Sequence, residues 1–378
     1  MKVALLTYST KPRGGVVHTL ALAEALAAIG VDVHVYGLGA GGFFRPTSVP
    51  HTLFPVDAGD GSLEEKVFAS VDALATGLAG VAAGFDVLHA QDCVSGRAAT
   101  RVRDAAGGPP VLRTVHHVDD FTTPALIDCQ RRAIVEADHL LVVSEQWRRT
   151  LRTEFGVEAR VVRNGVDPSR FPPIGARQRA RTRAPVAADG RFVLLAVGGI
   201  EPRKGSIALF RALGLLRERG RRPVLAIVGG HSFRDYEPYR REALALLPHL
   251  GLALGTDVVQ LGTVDDATLA AWYRSADALA YPSVMEGFGL VALEALAADL
   301  PVVASDLPVF REFLADGVNA LLPAAGDHRA LADALERVMT DETLRAGLVA
   351  GGRAVVPAFT WRASAARHAE IYADLRAR

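Results

Sequence analysis

Short β-rich apolar runs alternate with longer Ala/Leu/Arg segments at helical spacing from the first residue to about residue 165, and after a Pro- and Arg-rich break the alternation starts again. Strands joined through helices are the pattern of a parallel sheet, because a parallel neighbour is reached only by a crossover and the crossovers cover both faces. The first series predicts strands at Val3–Thr7, Val31–Tyr36, Asp86–Ala90, Val111–Val115 and His139–Val143. A helix over Val17–Ala28 fits between the first two, with Leu20, Ala23, Glu24 and Ala27 at three-and-four spacing and Gly30 as its C-terminal stop. The second series predicts strands at Phe192–Val197, Val224–Val228, Val258–Leu261, Ala278–Tyr281, Pro301–Ala304 and Ala320–Leu322. A last helical segment over 359–378 carries Ala365, His368, Ile371, Tyr372 and Leu375 on one face.

The expected fold class is therefore α/β, with two Rossmann-like doubly wound domains facing across a cleft. Residues 1–170 form the first domain, joined by the C-terminal helix 359–378; residues 171–190 form a linker; residues 191–358 form the second domain. Pro172-Pro173, a run of Arg and Ala, and Ala187-Ala188-Asp189-Gly190 give the linker its exposed composition. Open sheets of this kind bind ligands beyond the C-terminal ends of their strands.

Charge narrows the partners. The 42 basic residues are balanced by 42 acidic ones, so no global positive field draws the chain to nucleic acid. No stretch reaches the roughly 18 apolar residues of a membrane span, and the N-terminus reads as a first strand rather than a targeting segment. Cys93 and Cys129 are too few for a disulfide framework and read as reduced thiols, and the histidines are scattered along the sequence without zinc-site spacing.

The segment Pro282-Ser283-Val284-Met285-Glu286-Gly287-Phe288-Gly289-Leu290 follows a predicted strand and opens a helix. Its glycines let backbone N–H groups approach an anion, and the positive end of the helix adds to the attraction, which suits a diphosphate. Glu294, one turn after Leu290, turns a carboxylate inward where leucine is expected. It needs partners there: ribose hydroxyls, a backbone amide or a neighbouring arginine. Arg203-Lys204, between a strand and a helix, offers two cations for a diphosphate, or a solvated pair at a helix start. Gly14-Gly15 sits as a phosphate-approach loop would, a weak signal alone. Asp92 either meets a ligand or caps the next helix. The mixed aromatic and basic stretch Gly229–Arg240 reads as a surface loop or a pocket wall.

Glu286 and Glu294, with seven residues between them inside Pro-Ser-x-x-Glu-Gly-Phe-Gly, resemble the paired-glutamate motif of glycosyltransferase family 4. Gly14-Gly15, Asn164-Gly165-Val166-Asp167, Lys204-Gly205 and Pro301-Val302-Val303-Ala304 extend the resemblance over nearly the whole chain. It implies the two-domain GT-B fold and transfer with retention of anomeric configuration. It also implies that Glu294 holds the donor ribose and Glu286 the donor sugar, that Gly287, Phe288, Gly289 and Leu290 present backbone amides, and that Gly262, Thr263 and Val264 read the base. His116, at the end of a strand, matches the family's histidine near the donor sugar, the Thr-x-His frame favouring it over His117. The family's usual arginine directly after the strand glycine is replaced here by Gly199, and the Glu201-Pro202-Arg203-Lys204 variant resembles a subset in which Arg203 takes that place.

The resulting expectation is a retaining hexosyltransferase using a nucleotide diphosphate sugar, UDP first, on an unidentified hydroxyl acceptor: a small molecule, glycan or lipid. His116, Glu286, Lys204 and Arg203 are the expected catalytic set. No cofactor is expected beyond the nucleotide-sugar co-substrate, and no metal, since no Asp-x-Asp set is present. No nucleic-acid partner and no integral membrane segment are expected; the location is cytoplasmic, peripheral at the inner membrane face if the acceptor is a lipid. A sugar-nucleotide isomerase of the same fold and a non-catalytic relative are the alternatives. Acceptor-dependent release of nucleotide separates the transferase from both.

Overall fold

The computed structural model describes residues 1–56, 61–186, 190–230 and 236–376. The chain divides into Met1–Gly165 with Phe359–Arg378, and Val166–Ala358.

The first unit is built on a parallel seven-stranded sheet. Its strands are β1 (Lys2–Leu6), β2 (Asp32–Leu38), β3 (His51–Phe54), β4 (Val87–Ala90), β5 (Val111–Val115), β6 (His139–Val142) and β7 (Arg160–Val161), in the order β3-β2-β1-β4-β5-β6-β7. The order reverses between β1 and β4, the switch point where open α/β sheets place ligands. Val3, Leu5 and Leu6 are wholly buried, as a central strand covered on both faces requires. β3 and β7, absent from the sequence expectation, are edge strands of half-buried or very short character.

The helix after β1 spans Gly14–Ala28, and Gly30 follows it with φ +85°. The helix Leu63–Ala79 opens on a capping box in which Ser62 and Glu65 satisfy each other's backbone amides. The final helix, Trp361–Arg376, belongs to this unit; Ala365, His368, Ile371, Tyr372 and Leu375 are all buried. Its start is fixed by Gly165, where a β-carbon would fall 2.1 Å from the Trp361 nitrogen.

The second unit carries β8 (Val193–Val197), β9 (Val224–Val228), β10 (Val258–Gly262), β11 (Ala278–Tyr281) and β12 (Val302–Ala304), parallel in the order β10-β9-β8-β11-β12. Helices Ser206–Glu218 and His328–Thr340 cover one side, with Phe210, Leu213, Leu216 and Leu335 in the core. The expected strand at Ala320–Leu322 is reduced to isolated bridges, Leu321 with Val303 and Ala320 with Asp316.

The segment expected as a linker, 171–190, differs most from the sequence reading. Phe171 is buried beside Tyr273, and Ala176–Arg183 is a helix packed against the helix Asp266–Ser275. Two of the arginines that gave it an exposed composition are engaged: Arg183 reaches Asp277 at 2.7 Å, and Arg179 pairs with the same carboxylate. The second unit accordingly begins at Val166 rather than after the linker. Residues 187–189, and the 231–235 part of the Gly229–Arg240 stretch, lie outside the described residues. Among the described residues no helix is long and apolar enough to cross a membrane.

Candidate active site

In the second unit the chemistry gathers at the C-terminal ends of β8 and β11. β8 leads through Gly198 and Gly199 to a single turn, Pro202–Lys204, and then to the helix Ser206–Glu218. Lys204 Nζ lies 2.7 Å from Glu286 Oε1 and 3.1 Å from the Tyr281 hydroxyl, with the Tyr281 ring 4.8 Å from the ammonium. Arg203 donates to the same Oε1 at 3.2 Å, and Ser283 Oγ at 2.9 Å. The two segments are also joined through the backbone, Val284 N donating to Arg203 O at 2.8 Å.

Burial alone pushes the Glu286 carboxyl up, but Lys204 and Arg203 more than offset it and hold its pKa lowered to about 2. Burial likewise lowers the Lys204 ammonium, against the pull of Glu286. Arg203, side chain 42% exposed, also faces Glu201 across 3.5 Å. One carboxylate thus holds two cations at the mouth of a turn.

Three residues after Glu286 the chain enters the helix Leu290–Ala297 through Gly289 at φ +99°. Only glycine fits: a β-carbon there would fall 2.4 Å from the Phe310 ring. Phe288 is buried and stacked on Phe313, so what it offers a ligand is its backbone rather than its ring. No side chain caps this helix start and its first turn carries no acid, which leaves the positive end of the helix to an outside anion.

Glu294, four residues into that helix, is buried in a separate set of contacts. The Tyr273 hydroxyl donates to Oε2 at 2.8 Å, and Arg170 approaches Oε1 at 3.5 Å while also reaching Asp266 at 3.2 Å. Burial raises its carboxyl, with Arg170 pulling the other way. Arg170 ends the turn Pro168–Arg170, whose start Asp167 caps by accepting from Ser169 N at 2.9 Å. Gly262 and Thr263 are exposed and Val264 half-buried at the end of β10, beside Gly229.

In the first unit Gly14 and Gly15 are the first residues of their helix, whose start no side chain caps. A β-carbon on Gly14 would meet nothing within 4 Å, and one on Gly15 would lie 3.8 Å from His116 Cδ2. His116 therefore sits against this helix start, half-buried, its Nε2 3.0 Å from Gln91 Oε1. Asp92 takes the capping alternative: it accepts from Ser95 N at 2.7 Å and from Tyr8 N at 2.9 Å.

Sequence reasoning singled out Lys204, Arg203 and Glu286 separately, and the structure joins them in one network. It gave no role to Tyr281, the last residue of its predicted strand, to Ser283 inside the quoted motif, or to Arg170, three residues past Asn164-Gly165-Val166-Asp167. It also took the histidines as scattered, whereas His18 lies 4.6 Å from His116 and 6.2 Å from His368, ring centre to ring centre, and His89 lies 5.5 Å from His368. That gathering has no local sequence signal.

Residues 178–355 match the family profile "Glycosyl transferases group 1", and residues 12–170 match "Glycosyltransferase Family 4". The chain is 34% identical to a phosphatidyl-myo-inositol mannosyltransferase of Mycolicibacterium smegmatis, the match covering 97% of this chain and 91% of the relative. It is 30% identical to a D-inositol 3-phosphate glycosyltransferase of Streptomyces bingchenggensis, over 99% and 89%. Among solved structures it is similar in fold to Anabaena HepE in complex with UDP-glucose, with TM-score 0.84, 20% identity, and coverage of 99% of this chain and 100% of that one.

Proposed function

The chain belongs to glycosyltransferase family 4, with the GT-B fold of that family, and from this premise we propose that it transfers a hexose, with retention, from a nucleotide diphosphate sugar to a hydroxyl of an inositol that carries a phosphate. Glycosyltransferase activity is common to its relatives; the donor, the acceptor and the residue roles are the proposal. The observation that carries it is the pairing of Lys204 and Arg203 on Glu286, three residues before an uncapped helix start.

In this reading the diphosphate takes over the cations. The bond between the sugar's anomeric carbon and the diphosphate oxygen breaks, and the acceptor hydroxyl bonds the same carbon from the same face. Its proton passes to the departing diphosphate, so no carboxylate pair at glycosidase spacing is needed. Lys204, Arg203 and the amides from Gly287 to Leu290 stabilise the charge that develops on the leaving group. Glu286, relieved of its cations, accepts from sugar hydroxyls. Glu294 exchanges the distant Arg170 for the ribose hydroxyls, and the backbone of Gly262, Thr263 and Val264 meets the base. His116, with Gly14 and Gly15 beside it, serves the sugar.

UDP is the first donor base to try, because similar folds hold UDP and UDP-glucose. The inositol acceptor comes from the names of the relatives. A cytoplasmic location, where nucleotide sugars are made, fits this chemistry. The test is to incubate the protein with UDP-, GDP- and ADP-hexoses, with and without inositol phosphate or phosphatidylinositol, and follow released nucleotide. Release that depends on the acceptor supports the proposal. Rearranged donor without release, or no consumption of any donor, refutes it.

A further inference from the structure

The four gathered histidines are accompanied by a chain of hydrogen bonds that runs from the C-terminal helix to His116. The Tyr372 hydroxyl lies 2.6 Å from His89 Nδ1; His89 Nε2 lies 2.8 Å from Thr114 Oγ1 and 3.2 Å from Gln91 Nε2; Gln91 Oε1 lies 3.0 Å from His116 Nε2. Apart from His116, every side chain in it is buried.

With Oε1 towards His116 and Nε2 towards His89, the carboxamide of Gln91 sets the direction of the chain, because its oxygen only accepts and its nitrogen only donates. Accepting from His116 requires the hydrogen of that ring to be on Nε2. Donating to His89 Nε2 requires that nitrogen to be bare, so the hydrogen of His89 is on Nδ1 and is donated to the Tyr372 oxygen. The Thr114 hydroxyl donates to the same bare nitrogen. Turning the amide over would reverse every bond, with Tyr372 donating to His89 Nδ1, His89 Nε2–H donating to Gln91 and His116 carrying its hydrogen on Nδ1; the tautomer of His116 tells the two arrangements apart. The backbone holds Gln91 in place, its N–H anchored to Leu6 O at 3.0 Å and approaching Ser95 Oγ at 3.2 Å.

We propose that Gln91 is a positioning residue for the transfer, holding His116 as the Nε2–H tautomer so that Nδ1 is presented as an acceptor to a sugar hydroxyl, with Tyr372 and His89 setting Gln91 from behind. The inference rests on the assignment of His116 to the sugar given above. It also gives the C-terminal helix a role in the chemistry besides packing.

The ring stays neutral at working pH. Burial comes first among the causes, and the groups facing His116 all act the same way: His18 from the helix Gly14–Ala28, the adjacent His117, His89 from β4 and Arg113 from β5 each disfavour a second proton. Together they hold its pKa well below the usual histidine value.

The experiment combines a tautomer measurement with kinetics. Long-range 1H–15N correlation on histidine-labelled protein, with His116 assigned through H116Q, is expected to show the neutral Nε2–H form. Gln91→Leu is expected to abolish that single tautomer and to lower kcat on the order of tenfold to a hundredfold while nucleotide affinity is kept. Gln91→Glu keeps the shape and places a carboxylate on Nε2. It is expected to raise the pKa of His116, so that the rate falls as pH drops towards 6 where the wild type is flat. Tyr372→Phe is expected to produce a smaller fall in kcat of the same kind. A wild-type His116 carrying its hydrogen on Nδ1, or a Gln91→Leu protein with unchanged tautomer and unchanged kcat, overturns the proposal. The spectra decide this point even if no nucleotide sugar is consumed, an outcome that would sink the transferase reading instead.

Discussion

Gly199 lies so close to Gly230 that a β-carbon on it would fall 2.7 Å from the Gly230 carbonyl oxygen, and 3.0 Å from Glu201 Oε1. The space a side chain would need at this position is taken by the neighbouring strand end and by the buried Glu201. The family's usual arginine at this point is thus excluded by the local backbone, and Arg203 provides the cation beside Lys204.

Restoring that arginine is therefore expected to do harm. Gly199→Arg forces the Gly230 carbonyl or Glu201 to move, a strain of about 1–3 kcal/mol for overpacking. Urea unfolding should show the loss, and transfer activity should fall rather than rise.

Lys204→Met removes the closest partner of a buried carboxylate. Breaking a buried pair costs about 3–5 kcal/mol when nothing takes its place; with Arg203 and Ser283 still on Glu286, about 2 kcal/mol is expected. The companion Lys204→Met/Glu286→Met protein should recover most of that stability in urea titration, and neither variant should transfer sugar.

Acid should destabilise the two units over different windows. Burial, with His368 adding, lowers His18 to about 3, and burial lowers His368 itself to about 4. Unfolded histidine titrates near about 6.5, so the unfolded chain binds the extra protons first and stability falls as pH drops from about 6.5 towards 4. Glu286 works lower: its folded pKa is depressed, so its contribution is complete above the unfolded value of about 4.3 and is lost as pH falls through 2. Unfolding monitored between pH 7 and 5.5 should become flatter in His368→Gln and stay unchanged in slope in Glu286→Gln.

Gly165→Ala should loosen the C-terminal helix, because the added carbon would lie 2.1 Å from the Trp361 nitrogen and 2.2 Å from the Thr360 carbonyl carbon. With backbone rather than a flexible side chain in the way, about 2 kcal/mol or more is expected. Limited proteolysis should cut near Phe359 faster than in the wild type, and Gly77→Ala, which meets the Phe54 ring, should not produce that cut.

The alternation of apolar strands and helices was readable because both sheets are parallel and covered on both faces, so every central strand is a short, nearly continuous apolar run. β3 escaped because His51-Thr52-Leu53-Phe54 is an edge strand of half-buried residues, with too little apolar run to stand out. Residues 171–190 were read as a linker because arginine and proline are locally the composition of exposed chain; Asp277, which holds Arg179 and Arg183, is 94 or more positions away. The candidate site shows the same division. Glu286, Glu294 and Lys204 are legible because they break local pattern at a strand end, whereas His89 and Tyr372, 283 positions apart, come together only through the packing of the last helix.

The central claim is that Lys204, Arg203 and Glu286 form the diphosphate end of a nucleotide-sugar site. Calorimetric titration of UDP, GDP, ADP and TDP into the wild type, Lys204→Ala and Glu294→Ala tests it most directly. One nucleotide should bind selectively to the wild type, and its binding should be lost in both variants. No binding of any nucleotide to the wild type, or binding undiminished in Lys204→Ala, would contradict the account.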